Sequence, residues 1–363
     1  MKFKINKEVL LSGIQTVQNV ITTKTALPVL SNILIEAQGT KLKLTATDLD
    51  VGITCVIPVE TQEPGSITIP AKRLNDIIKE LPADNININT KKNNLVIIET
   101  ENCQFKILGL APEEFPKLPE FKDQQVINLE QVVLKEVFNL TSFAVSFDET
   151  RYVLNGILFR FYKNNLTLVA TDGKRLAIAE RKLQQNIEKE TRIIVPIKTI
   201  QELNRNLQDE GMVSLILSNN QALFDLGSVV VISRLIEGEF PDYQQVVPPI
   251  SENKMGIDRE QFLLAVKRAA LLATPDYQAV KLEVFKDKLV ISKSTPDIGE
   301  SFEEVSAEYR GKEMVIGFNP HYLVDVLKNL QGERIIFELI DSEKPGVIRT
   351  DGYTYIVLPM RLN

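Results

Sequence analysis

Histidine occurs once in the 363 residues, at His321; tryptophan is absent, and cysteine occurs twice, at Cys55 and Cys103. A single histidine excludes multi-histidine metal sites and leaves a Ser-His-Asp relay with no support elsewhere. His321 stands beside Tyr322 in a helical stretch and reads as a solvated or capping side chain. The two cysteines lack metal or redox spacing and read as small buried hydrophobes in a reducing cytoplasm. No apolar run approaches the ~20 residues of a membrane span. Met1-Lys2-Phe3-Lys4 alternates like an edge strand and lacks the apolar core of a signal peptide. A soluble cytoplasmic protein is expected. A Gly-rich phosphate loop is missing too, since Gly173-Lys174-Arg175 has neither the upstream glycine nor the Ser/Thr that such a loop needs. Lys and Arg number 42 against 48 Asp and Glu, a net charge of −6. No arm, tail or third of the chain is basic. Bulk charge therefore argues against non-specific attraction to nucleic acid, but it is silent on cations gathered on one face. Asp48 and Asp172 are the candidate acids for an enzyme acting on phosphate esters. Both fall in Thr-Asp turns at strand ends, where a side chain bonding the backbone accounts for them. The chain lacks the parts of an enzyme, and no cofactor or metal is expected.

What the chain does have is a long repeat. Ile33-Leu34-Ile35-Glu36 followed by Leu42-Lys43-Leu44-Thr45-Ala46-Thr47-Asp48 recurs as Ile157-Leu158-Phe159-Arg160 and Leu166-Thr167-Leu168-Val169-Ala170-Thr171-Asp172. A worn third copy runs through Lys281-Leu282-Glu283-Val284 and Leu289-Val290-Ile291-Ser292, without the Thr-Asp-Gly turn. Leu34, Leu158 and Leu282 stand 124 residues apart. Solenoid repeats run about 20–50 residues, so this period is that of a whole domain. Each third opens with a capped amphipathic helix, after Asn6, Asn128 and Asp258. A second helix recurs over Pro70–Leu81, Pro196–Leu207 and Pro320–Leu330, with proline in the first turn. Between them lie alternating strands such as Asn85–Thr90 and Ile335–Leu339. Two helices among such strands in each third predict antiparallel α+β layer domains and leave too few helices for a parallel sheet. The domains are expected at 1–123, 124–249 and 250–363, joined by the Pro-rich runs Pro112–Asp123 and Pro241–Glu252.

Four surface segments stand out: Arg151-Tyr152-Val153-Leu154, Thr171-Asp172-Gly173-Lys174-Arg175-Leu176, the run from Ser233 to Tyr243, and the apolar tail Tyr355–Asn363. Termini are normally polar. The tail therefore reads either as a last strand or as one wall of a hydrophobic groove around Pro359-Met360, methionine being suited to varied partners.

On these residues the chain resembles the bacterial DNA sliding clamps, the β subunits of DNA polymerase III. The marks are Ala170–Leu176, Arg234–Tyr243 and Leu358-Pro359-Met360-Arg361-Leu362, and the resemblance spans all 363 residues. It implies a head-to-tail homodimer closed into a ring around duplex DNA, serving as a polymerase processivity factor. Twelve lining helices (two per third, three thirds, two subunits) at roughly 8–10 Å spacing would leave an opening about 25 Å across. Cations available to that lining are Lys7, Lys24, Lys72, Arg73, Lys79, Lys198, Arg205, Lys267, Arg268 and Lys328, amid acids of the same helices; contacts would be to phosphate and blind to sequence. Carried over residue by residue, the DNA contacts are Lys24, Arg73, Arg151, Tyr152, Lys174 and Lys198. The groove for the replicative polymerase, clamp loader and other clamp-binding proteins is Leu154, Thr171, Gly173, Arg175, Leu176, Pro241, Val246, Tyr322, Val357, Pro359, Met360 and Arg361. The ring interface sets Arg73, Leu74 and Ile107 against Leu271 and Leu272. Gln244, Gln245 and Ile197 depart from the basic residues of the family, and Leu358 replaces a frequent methionine. The rival reading is a tandem-domain scaffold that binds proteins without encircling DNA.

Overall fold

A computed structural model of the chain describes residues 1–21, 27–121 and 125–362. Among them are six α-helices: α1 (Lys7–Gln18), α2 (Ala71–Glu80), α3 (Gln131–Thr141), α4 (Ile197–Asn206), α5 (Arg259–Ala270) and α6 (Pro320–Asn329). They fall two to each third, within a residue or two of the expected limits, and every strand pairing is antiparallel.

Capping follows the expectation at two of three sites. Asn6 Oδ1 accepts from the amides of Glu8 (3.0 Å) and Val9 (3.3 Å), and Asp258 Oδ1 accepts from Gln261 N at 2.8 Å. Asn128 does not stand at the helix start. It stays inside the strand Val126–Glu130, which is paired along its whole length with Met212–Ile216. Its Oδ1 accepts instead from Ser214 Oγ at 3.1 Å, so the ladder outlasts the cap signal. The prolines also differ in role. Pro320 opens α6, whereas Pro70 and Pro196 are the last residues of the strands Gly65–Pro70 and Arg175–Pro196. Lacking an N–H, they end a ladder just ahead of the helix.

The chain compacts into two units, Met1–Leu134 with Lys198–Leu235, and Lys135–Ile197 with Ile236–Asn363. The middle third is thus shared between them, because sheet ladders run across the repeat boundaries. In the first unit, Val229–Arg234 pairs with Val51–Pro58 (Val229 opposite Cys55, Ser233 opposite Val51). An eight-stranded sheet results. A five-stranded sheet, ordered Glu60–Glu63, Lys2–Asn6, Asn85–Thr90, Leu95–Glu99, Gln104–Leu108, lies in the same unit. Leu10, Ile14 and Val17 of α1 and Leu74 and Ile78 of α2 are fully buried in its core. Each such side chain contributes roughly 1.5–3 kcal/mol. Leu74 is therefore a core residue with no surface to offer a partner, which corrects the expectation that it faces a second subunit.

In the second unit, Arg175–Pro196 pairs with Tyr353–Val357 (Arg175 opposite Val357, Ala179 opposite Tyr353), giving a ten-stranded sheet. Phe262 of α5, Phe318 and Phe337 stack in its core at centroid separations of 6.3 and 5.7 Å. The matching segments Glu114-Phe115-Pro116 and Glu239-Phe240-Pro241 act as plugs, one in each unit. Phe115 is buried against Val29 and Leu30, and Phe240 packs with Val153 on a core cluster that includes Leu158 and Leu176.

Candidate functional site

The turn Thr171–Arg175 is built by local side-chain bonds. Thr171 Oγ1 donates to Arg175 O (2.6 Å) and accepts from Gly173 N (3.1 Å), while Asp172 Oδ1 accepts from Lys174 N (2.9 Å) and Arg175 N (3.0 Å). The copy 124 residues earlier repeats it atom for atom. Thr47 Oγ1 donates to Val51 O and accepts from Leu49 N, and Asp48 Oδ1 accepts from Asp50 N and Val51 N. Gly173 has φ 87° and Leu49 φ 80°. Glycine takes this backbone at Gly173 without the strain that Leu49 carries in the twin turn, and a Cβ there would come within 2.9 Å of Nη1 at the mobile end of the exposed Arg151. The two turns diverge at the outer carboxylate oxygen. Asp172 Oδ2 accepts from Arg175 Nε at 2.9 Å, while Asp48 Oδ2 takes Lys198 Nζ.

Arg175 is anchored on every side. Besides Asp172, its Nη1 donates to Asp325 of α6 at 2.7 Å and its Nη2 to Phe143 O at 2.5 Å. The guanidinium lies 4.4 Å from the Tyr322 ring centroid and 5.6 Å from that of Phe143. Its side chain is 9% exposed. It is a staple holding the turn to α6 and fixing Tyr322, with three of its five N–H donors engaged within the fold. Below it Tyr355, buried and with its phenol pushed far above the usual range by desolvation, donates to Tyr322 O at 2.9 Å.

Leu154, Leu176 and Val357 are buried. Leu176 shares a sheet face and a core cluster with Ile356, whereas Val357 stands opposite Arg175 on the other face, which corrects the expectation that Val357 lines the groove. Accessible apolar surface above comes from Val246 (59% exposed), Pro241, and the half-buried Pro359 and Met360. The tail meets the first of its two sequence readings, that of a last strand. Tyr353–Val357 completes the sheet, and the chain then leaves it. Leu358 N donates to Lys174 O (2.9 Å) and Met360 N to Gly317 O (2.8 Å). Gly317 permits this approach, since a Cβ there would meet Met360 O at 2.6 Å. Arg361 is exposed beyond.

Of the expected DNA contacts, Lys24 lies outside the described residues. Arg151, Tyr152 and Lys174 are exposed and gathered where the 149–154 segment meets the Gly173 turn. Arg73 is exposed on α2. Lys198, on α4, is half-buried and engaged by Asp48 and by Val20 O at 3.3 Å. Gln244 and Gln245 sit exposed in the turn Tyr243–Val246, with Gln245 Nε2 donating to Asp242 at 2.9 Å. Leu271 is 81% exposed, and Ile107 and Leu272 are partly so. No helix among the described residues is long and apolar enough to cross a membrane, and no group of three or more His, Cys, Asp or Glu among them could hold a metal.

Models of the N-terminal, central and C-terminal domains of the DNA polymerase III beta subunit match residues 1–119, 128–242 and 244–361 in order. The chain belongs to the DNA polymerase III beta subunit family. The beta sliding clamp of Pseudomonas putida is 37% identical over 370 residues, and that of Chlamydia muridarum 32% over 364, each covering all of both chains. Among solved structures, the Bacillus subtilis sliding clamp superposes with a TM-score of 0.95 at 31% identity. The Pseudomonas aeruginosa clamp bound to griselimycin does so with 0.94 at 35%, and both cover all of each chain.

Three features of this beta-subunit relative escaped the sequence. Asp325 and Phe143 hold Arg175, yet nothing local to either marks it as a partner. The acid at the sixth position of α6 does recur as Asp76 in α2 and Glu202 in α4, a signal that could have been read. Phe105 and Leu108 (38% and 66% exposed) lie on the edge strand Gln104–Leu108, and Phe302 (68%) on Gly299–Ser306, a run paired on one side only.

Proposed function

We propose that the chain is a DNA polymerase processivity factor, a homodimeric ring of three clamp domains per subunit that encircles duplex DNA. The observation that carries this reading is one fold written three times, matched in order by the three beta-subunit domains. The domain limits are proposed at 1–123, 124–249 and 250–363. Two open strand runs support the closure: Gln104–Leu108 of one subunit would join Gly299–Ser306 of the next. Ladder bonding would be backed by Phe105, Ile107 and Leu108 against Leu271, Leu272 and Phe302. Arg73 and Lys106 would lie near Glu300 and its neighbours. Unpaired edges with exposed aromatics are the surfaces that a second chain covers.

Encirclement holds the protein by topology, so tight ion pairing is unnecessary and would slow sliding. The net charge of −6 is consistent with that economy. Lys24, Arg73, Arg151, Tyr152, Lys174 and Lys198 are the proposed phosphate contacts, with Lys198 freed from Asp48 when it serves. The groove floored by Leu154, Leu176 and Ile356 and rimmed by Pro241, Val246, Pro359 and Met360 would take one or two large apolar side chains of a peptide from the polymerase, clamp loader or another clamp-binding protein. Thr171, Gly173 and Arg175 shape it, Tyr322 offers a ring face, and Arg361 offers an exposed cation for a carboxylate or carbonyl. The protein supplies no chemistry of its own and works in the cytoplasm. Primer extension by a single replicative polymerase tests the reading. Product length per binding event should rise severalfold with the protein and fall back when Leu271→Glu opens the ring; unchanged lengths would reject it.

A further inference from the structure

We propose that a cavity in the C-terminal third, meeting the groove only at the tail residues Met360 and Arg361, binds an apolar carboxylate through Lys293. The cavity holds about 680 Å³ and is bounded by Tyr277, Lys293, Phe302 and the tail residues Met360–Leu362. The body of the groove (Leu154, Leu176, Val246, Tyr322) takes no part in it.

Lys293 lies on the strand Lys288–Thr295 and is only 5% exposed. Its Nζ donates to Ala279 O at 2.9 Å and stands 6.0 Å from the Tyr277 ring centroid. An ammonium has three donors. Among the described residues one is used and two find no protein acceptor. The carboxylates of the lining are engaged elsewhere or peripheral: Glu283 pairs with Lys281 at 3.0 Å, Glu300 accepts from Ser294 Oγ at 2.9 Å, and Asp276 is exposed. Burial alone acts on Lys293, lowering its pKa, with no acid to offset it. A buried cation without a counter-charge is disfavoured unless something supplies the anion. The volume suits a small ligand, whose sites run about 300–1,000 Å³. Tyr277 and Phe302 call for an apolar body; of the other lining cations Lys281 pairs with Glu283 and Arg361 is exposed, so the deep Lys293 ammonium calls for one compact negative charge. That charge could belong to a free small acid or to the C-terminal carboxylate of a peptide.

Phenylacetate and its uncharged counterpart phenethyl alcohol decide the matter on the full-length protein, by calorimetry and saturation-transfer NMR. The acid should bind about tenfold more tightly than the alcohol, the lower end of what hydrogen bonds to a charged group contribute. Lys293→Met should remove that preference while leaving the alcohol, and a groove-binding peptide, unaffected. This variant should fold: in the native state the ammonium is disfavoured, a cost present at neutral pH and vanishing as pH rises past the ordinary lysine range. A Tm no lower than wild type at pH 7 checks it. Equal binding of acid and alcohol by the wild-type protein would overturn the proposal without any variant. So would a preference that survives Lys293→Met, or inorganic phosphate binding as tightly as phenylacetate. A tripeptide Gly-Gly-Phe with a free terminus, against its amide, separates the sources: a tight free acid form identifies a peptide end, and phenylacetate alone identifies a free acid. Phe302 also lies on the run proposed for ring closure. The titration needs no closed ring, so failure of either reading leaves the other standing.

Discussion

Replacing Arg175 should unfasten the second unit's turn from α6. Its side chain is 9% exposed and makes three hydrogen bonds, to Asp172, Asp325 and Phe143 O, at 2.9, 2.7 and 2.5 Å. Arg175→Met keeps the stem but leaves two carboxylates facing a site with no cation. Breaking one side of a buried ion pair costs roughly 3–5 kcal/mol. Asp325 is 35% exposed and can be rehydrated. Asp325→Leu should therefore cost less, about 1–2 kcal/mol for a hydrogen bond to a charged group. The two sites touch, so the double variant should be more stable than the sum of the singles implies, by at least about 1 kcal/mol. Urea unfolding followed by tyrosine emission is the assay. With no tryptophan in the chain, the buried Tyr353 and Tyr355 beside this cluster report on it directly. A loss below about 1 kcal/mol in Arg175→Met, or additivity within about 0.5 kcal/mol, would refute the view that Arg175 is a staple.

Leu271→Glu with Leu108→Glu should yield a folded monomer by sedimentation, because both side chains are exposed in the free chain; a persisting dimer would move the interface elsewhere. Met360→Ala with Val246→Ala should weaken a groove peptide by about 2 kcal/mol or more, read by calorimetry, with the dimer intact. Leu176 is unsuitable for that test, since its truncation would hollow the core. At Glu202, burial pushes the carboxyl up despite Arg205. The ionised form is thus disfavoured in the fold, a cost absent at low pH and acquired as pH rises through and above the ordinary carboxylate range. Glu202→Gln should raise Tm at pH 7 and lose that advantage near pH 4; a pH-independent difference would contradict the assignment.

The repeat was legible because its turn chemistry is local. The turn bonds of Thr-Asp at 47–48 and 171–172 reach residues two to four positions on, so the same two letters produce the same turn, and the copies part where Asp48 Oδ2 takes Lys198. Helix positions were legible for the same reason, through Asn6, Asp258 and the flanking prolines. What failed was long range. Asn128 carries a cap signal that strand pairing with 212–216 overrules. Leu74 shares a helix face with Ile78 and is drawn into the core, where its apolar character gives no hint of which side it takes. Arg175 and Asp325 are 150 positions apart, and no periodicity joins them. The sharing of the middle third between two compact units was hidden likewise, since strand order does not follow chain order.

Encirclement is tested most directly by loading the protein on a nicked plasmid circle with a clamp loader and washing at high salt. Retention on the circle is expected, with release within minutes when one restriction cut lets the ring slide off the ends. Equal dissociation from circular and linear DNA would contradict topological binding.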